Sequence, residues 1–352
     1  MPDRHSIAKS LIQQNQRLRR VSLMAALLIS LGLAWSAPSI AQGNSSILNA
    51  SYDVTRELFK DVNPVFVAEW KKKTGETLTI NQSHGGSSKQ ARSVVDGLDA
   101  AVVTMNQASD IDILAEKGMV PASWNKAFPN NSSPFYSTMV FLTRKGNPKK
   151  IASWEDLGKA DLKIIIPNPK TSGNGRYSYL AAWGSVIKSG GNEAQARQLT
   201  ERIFKNVPVL DGGGRGATTT FTQREIGDVL VTFENEVQLI KQEFGDNFDV
   251  VYPKISILAE SPVAVVDKVV DKLGNRKQAT AYLQFLYSEA GQEIIAKHYL
   301  RPRSELAAKK YAANFKPVSL FTIEDVFGGW KQIQKKFFDD GAEFDKIYQS
   351  KK

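Results

Sequence analysis

Three glycine- and serine-rich turns hold the residues of this chain best suited to chemistry. They are Ser83 to Lys89 (S-H-G-G-S-S-K), Pro169 to Arg176 (P-K-T-S-G-N-G-R) and Asp211 to Thr220 (D-G-G-G-R-G-A-T-T-T). Each follows a short β-like run, at Leu78 to Ile80, Leu162 to Ile166 and Val207 to Leu210, and each precedes a helix-compatible stretch. Glycine lets the main chain approach a ligand closely, and the first N–H groups of a helix have no internal acceptor, so such turns attract anions. Three of them, with few acid–base side chains nearby, point to a protein that holds an anion and leaves it unchanged. The competing chemistry is nucleophilic attack by Ser87 or Ser172 in a secreted hydrolase, which needs a base within hydrogen-bond reach. Outside the N-terminal segment the only imidazoles are His84 and His298, and neither serine sits in a G-x-S-x-G elbow.

The flanking polar residues read as support. His84 adjoins the first turn and is expected to orient it. Arg176 and Arg215 flank the other two, either tuning the field from behind or lying in solvent. Asp53, at the start of a helix, is expected to cap it or to back the site. The run Gly85-Gly86-Ser87-Ser88-Lys89 lacks the G-x-x-x-x-G-K-[ST] spacing of a nucleotide loop. With no cysteine and no H-E-x-x-H motif, neither a metal site nor a cofactor is expected, and disulfides are excluded.

The elements that must position these turns alternate between strand and helix. Residues 46–51, 77–81 and 100–104 read as strands, with helices at 53–73, 87–98 and 111–117 between and after them. A second set runs through strands at 136–144, 162–166, 207–210, 228–233 and 248–252, with helices at 176–188, 192–205 and 234–244. A strand at 263–267 follows, and from Lys277 the pattern is helical to the end. This rhythm predicts α/β lobes built on mostly parallel sheets flanked by helices, joined by two hinge crossovers. In such sheets ligands sit at the carboxyl ends of strands, where all three turns fall.

Upstream, Arg17, Arg19 and Arg20 precede an uncharged run from Val21 to Trp35, and Ser39-Ile40-Ala41 supplies small residues. That order predicts a signal peptide over residues 1–41, cleaved between Ala41 and Gln42, and hence a periplasmic protein. The whole chain has 46 Lys/Arg against 36 Asp/Glu, net +10; removing five cations and one acid with the leader leaves 41 against 35, or +6. The cations form no stripe, so a nucleic-acid partner is not expected.

The ordered motifs Ser51-Tyr52-Asp53, Ser83-His84-Gly85-Gly86-Ser87, Asn168 to Gly173, Leu180-Ala181-Ala182-Trp183-Gly184, Gly227-Asp228-Val229-Leu230, Ile257 to Glu260 and Val326 to Trp330 resemble the periplasmic sulfate- and thiosulfate-binding proteins. The resemblance covers essentially the whole chain after the leader. It implies a two-lobed periplasmic binding protein fold (type II) that closes around thiosulfate or sulfate, works as a monomer and delivers to the permease subunits of an ABC importer. It also implies lobe 1 from residues 42–136 and 262–352, and lobe 2 from 137–261. By motif, the oxyanion-binding amides fall at Ser87, Gly173, Asn174 and Gly214, and the hydroxyl at Ser172. Sulfate offers only acceptors, so an all-donor site selects against an anion carrying an O–H, although molybdate and phosphate stay open as alternative ligands.

One position departs from the sulfate pattern. Where those relatives carry a tryptophan that donates from its indole, this chain has Phe233. Phe233 either packs at the end of a strand, with water replacing the lost bond, or faces a softer ligand atom such as the terminal sulfur of thiosulfate. Blocks around Ser51 to Val54, Pro129 to Tyr136 and Arg215 to Thr220 look most like the thiosulfate-binding branch.

Overall fold

The computed structural model describes residues 45–349; the expected leader and its cleavage point lie outside them. β1 (Ser45–Tyr52) and β2 (Leu78–Gly85) run parallel, Ser45 opposite Leu78 and Tyr52 opposite Gly85. After a short 3-10 turn (Asp53–Thr55), α1 (Arg56–Thr74) joins them. Its Leu58, Phe59, Val62, Phe66 and Trp70 recur every three or four residues and make one buried stripe. Gly75, at φ 75°, stops the helix by donating its N–H to Lys71 O, a left-handed position that glycine adopts without strain. α2 (Ser87–Val95), β3 (Val102–Thr104) and α3 (Ala108–Glu116) complete this α/β set, with β3 parallel to β1.

The chain crosses over through β4 (Phe135–Ser137) into β5 (Met139–Arg144). There follow β6 (Ile164–Ile165), α4 (Gly173–Lys188), α5 (Glu193–Lys205), α6 (Gly214–Thr222), β7 (Val229–Phe233), α7 (Glu234–Phe244) and β8 (Phe248–Val251). It returns through β9 (Ile255–Ile257), β10 (Ala259–Glu260), which pairs with β4, and β11 (Val263–Val265), which pairs antiparallel with β3. The first sheet has strand order β11-β3-β1-β2 and the second β6-β7-β5-β8. Each is flanked by helices, as the alternation predicts.

Three details differ from the sequence reading. The second sheet is mixed: β6 and β7 are parallel, but β5 is antiparallel to both β7 and β8. β5 comes directly from the crossover and so leaves the cleft, whereas strands that follow helices run toward it. Residues 207–210 form no strand, because Pro208 has no N–H to give a ladder. The third difference is the tail, which is not continuously helical: β12 (Arg301–Pro302) pairs with β4, and β13 (Ser319–Phe321) runs parallel to β9.

The tail reaches both α/β sets. From β13 onward, α8 (Ile323–Phe327) and α10 (Glu343–Gln349) pack on α4 and α5 of the second set, while α9 (Trp330–Ile333) lies against α3 of the first. Tyr179 of α4 meets the rings of Phe337, Phe338 and Phe344 at 5.5, 5.4 and 6.1 Å. The apolar outer face of α4 and α5 needs this cover, since Tyr179, Trp183, Leu199 and Phe204 are otherwise too large an apolar surface to leave in water.

Candidate functional site

The three turns, more than 120 residues apart from first to last, meet at one point. Each ends in a helix N-cap: Gly86 for α2, Ser172 for α4 and Gly213 for α6. None of the three caps its helix with a side chain, so the first-turn N–H groups are left without that acceptor. A Cβ built on Gly86 would lie 2.5 Å from Thr171 O and 2.8 Å from Gly212 O, so the first turn is pressed between the main chains of the other two. At Gly213 the same construction falls 3.6 Å from Gly86 Cα. Gly86 has φ −59°, so it is glycine for lack of room, not for backbone freedom. Three helix dipoles pointing their positive ends into one space make a ready site for a negative ligand.

The side chains around this point hold the turns in place. Ser87 Oγ accepts from Asn106 N at 3.2 Å and reaches Met105 Sδ at 3.5 Å, while Ser88 Oγ accepts from Gln107 Nε2 at 3.1 Å. The hydroxyls of Ser87 and Ser88 are thus spent on the loop after β3, which leaves the amide of Ser87 as the turn's contribution. Asn174 donates from Nδ2 to Thr232 Oγ1 at 2.8 Å, tying α4 to β7, and that same nitrogen stands 3.2 Å from a Cβ built on Gly214. Arg176, 5% exposed, donates to Pro169 O at 2.9 Å and Gln334 Oε1 at 3.0 Å, and stacks over Phe338 at 5.1 Å. These hydrogen-bond partners carry no charge, so the guanidinium adds a positive field behind the second turn.

His84 supports the first turn from the end of β2. Its Nδ1 lies 2.6 Å from Ser51 Oγ on β1. Burial, and next the cation of Arg56, push its pKa down to about 4, so the ring is neutral near pH 7. The hydrolase reading gains nothing from this pair, because Ser51 is fully buried and Ser87 bonds elsewhere.

A charged group borders the third turn. Asp53 Oδ2 accepts the main-chain N–H of Arg215 at 3.1 Å, and burial raises the carboxyl's pKa against that bond. Arg215 pairs with Glu57 at 2.7 Å and approaches Glu236 at 3.6 Å. Glu236 is fully buried, accepts from Thr218 Oγ1 at 2.8 Å, and is pushed up to about 7 by burial, which outweighs Arg215. Asp53 and Glu57 come from the first lobe and Arg215 from the second, so these contacts also span the cleft.

Phe233 ends β7 at the same cleft, 2% exposed. Its ring is edge-on to Tyr52 at 6.3 Å from the first lobe and to Tyr177 at 5.9 Å from the second. Two contributors escaped the sequence reading. Asn106 places Oδ1 only 1.8 Å from where a Cβ at Gly173 would be, and that oxygen is buried with no partner among the described residues. The other is Glu236. Asn106 follows the carboxyl end of β3, a position the strand-end rule marks, whereas nothing in the local pattern singles out Glu236.

Comparison with known proteins agrees with this geometry. Residues 50–301 match the family model described as bacterial extracellular solute-binding protein. The thiosulfate-binding protein of Pseudomonas aeruginosa is 55% identical over 93% of this chain and 98% of its own length. The sulfate-binding protein of Escherichia coli is 50% identical over 91% of this chain and 98% of its own. Among solved structures, the sulfate-binding protein SubI from Mycobacterium tuberculosis superposes with a TM-score of 0.77 at 31% identity, covering 84% of this chain and 100% of that one. The chain therefore belongs to the bacterial extracellular solute-binding proteins, within the sulfate- and thiosulfate-binding protein family.

Proposed function

We propose that this protein is a periplasmic receptor that captures thiosulfate and sulfate and presents them to an ABC importer. The observation that carries the reading is the meeting of three helix N-termini whose N-cap residues, Gly86, Ser172 and Gly213, supply no side-chain cap. The dianion lies among the amides of Ser87, Gly173, Asn174 and Gly214 and the hydroxyl of Ser172, and Phe233 closes one side. Asp53, His84, Arg176 and Arg215 act from behind. Lobe 1 is the first sheet with residues up to 136 and from 262 through β12; lobe 2 is residues 137–261 with the tail from β13. The lobes close on the ligand by bending at the crossovers, as a monomer, and the closed form is what the permease subunits recognise. No reaction follows capture, since the site supplies donors and no base.

The affinity comes from oriented dipoles. Each main-chain N–H donates to an oxygen that bears charge, a class of bond worth about 1.5–3 kcal/mol. Uncharged donors spare the cleft the desolvation of a buried counter-charge. An aromatic edge in place of an indole donor suits the soft terminal sulfur of thiosulfate, by roughly 0.3–1.5 kcal/mol. Calorimetric titration of residues 42–352 with thiosulfate, sulfate, phosphate and molybdate tests the reading. Tight one-to-one binding of the first two and weak binding of phosphate is expected. Preference for phosphate or molybdate would overturn the ligand assignment, and silence toward all four would overturn the receptor itself.

A further inference from the structure

A second cavity, of about 440 Å³, opens at the edge of the cleft beside the crossovers. Its walls come from α3 and the turn at Trp124, from the crossover strands, and from α8 and α9 of the tail. Asp112, Glu260 and Glu324 line it together with Trp124, Tyr177 and Trp330. Glu260 is neutralised by Arg303 at 2.7 Å, and Lys331 stands exposed at the rim. Asp112 gives one oxygen to Trp124 Nε1 at 2.9 Å and keeps the other. Ser133, 1% exposed, lines the same space, and its Oγ has no hydrogen-bond partner among the described residues.

These features ask for one kind of occupant. A buried hydroxyl without a partner is uncommon and marks a place where a polar group from outside can bond. Carboxylates beside aromatic rings favour a cation with an apolar body, through charge, through ring quadrupoles and through burial of its carbon chain. An oxyanion is repelled by the same carboxylates. We propose that this cavity binds a small organic cation carrying a primary ammonium, with Asp112 and Glu324 facing the charge and Ser133 Oγ accepting one of its N–H bonds. The site shares no carboxylate with the oxyanion cleft, and it borders that cleft through Tyr177, whose ring meets Phe233, and through Pro262, whose carbonyl accepts from Met105 N.

The test is titration of residues 42–352 with n-butylammonium chloride, followed by calorimetry and by the fluorescence of the tryptophans, against sodium chloride at equal ionic strength and against 1-butanol. Saturable one-to-one binding is expected, weakened at least about ten-fold in Asp112→Asn/Glu324→Gln and roughly two- to five-fold in Ser133→Ala. Thiosulfate titration of each variant, unchanged within about two-fold, shows that the fold is intact; if the double variant fails that check, Glu324→Gln alone is used, because Glu324 is exposed. The proposal is overturned by a response no larger than with sodium chloride, by equal binding of 1-butanol, or by carboxamide variants that bind the ammonium as wild type does.

Discussion

The point where the three turns meet and the charged group beside it handle the same problem in opposite ways. At the turns, the N-cap residues Gly86, Ser172 and Gly213 supply no side-chain cap, and the helix ends face the ligand space through main-chain N–H groups. One step away, Asp53, Glu57 and Glu236 crowd around Arg215. Dipoles can surround an anion without a desolvated counter-charge, whereas full charges hold two lobes together across a cleft. The contrast teaches that contact with the ligand and closure of the lobes are assigned to different groups. Substitutions should therefore separate them.

The largest separation is expected at Gly86→Ala. The new methyl meets two main-chain oxygens at under 3 Å, so the first turn cannot reach the others without backbone movement. Overpacking of this kind costs roughly 1–3 kcal/mol, or about five- to 150-fold in thiosulfate affinity by calorimetry, with the melting temperature of the unliganded protein nearly unchanged. Affinity within two-fold of wild type would show that the turns do not need to touch. Ser172→Ala comes next. Losing one charge-assisted bond of about 1.5–3 kcal/mol predicts roughly ten-fold weakening or more for both anions. An unaltered dissociation constant would remove Ser172 from contact.

Phe233→Trp acts on selectivity. An added N–H matched to an oxygen contributes about 0.5–1.5 kcal/mol, so the thiosulfate-to-sulfate preference should fall roughly two- to ten-fold in paired titrations. Parallel changes for both ligands would make Phe233 a packing residue between Tyr52 and Tyr177. The smallest effect belongs to the charged group. Because Glu236 is raised to about 7, it is mostly protonated below neutrality and gains a negative charge as pH rises through 7. Oxyanion affinity should then decline by about three-fold from pH 6 to pH 8, on the order of 0.7 kcal/mol, and Glu236→Gln should flatten the profile. His84, lowered to about 4, contributes nothing over that range. A profile that persists in Glu236→Gln would place the titrating group elsewhere.

The turns, and the strands before the first two of them, were legible because glycine spacing and strand-to-helix alternation are local signals. The helix starts at Ser87 and Gly173 follow from them within a few residues, whereas the pattern gives the helix from Gly214 only as a helix-compatible stretch after the turn. What stayed hidden depends on distant partners. The direction of β5 is set by the crossover and not by its own apolar pattern. The docking of Phe337, Phe338 and Phe344 on Tyr179 joins segments about 160 residues apart, and helical periodicity alone does not say which lobe they cover. Asn106 and Glu236 are ordinary polar residues until the fold buries them.

The close approach of the turns has a consequence for how the gene can vary. A main-chain N–H survives most replacements at Ser87 or Asn174, because every residue except proline carries one. The opposite holds at glycine: one added carbon meets Asn106 Oδ1 at position 173, Asp53 Oδ2 at 213 and two carbonyls at 86. Inherited constraint here should fall on the exclusion of atoms more than on the identity of polar side chains. A search for descendants that have lost anion capture would do best to look for added methyl groups at those three glycines.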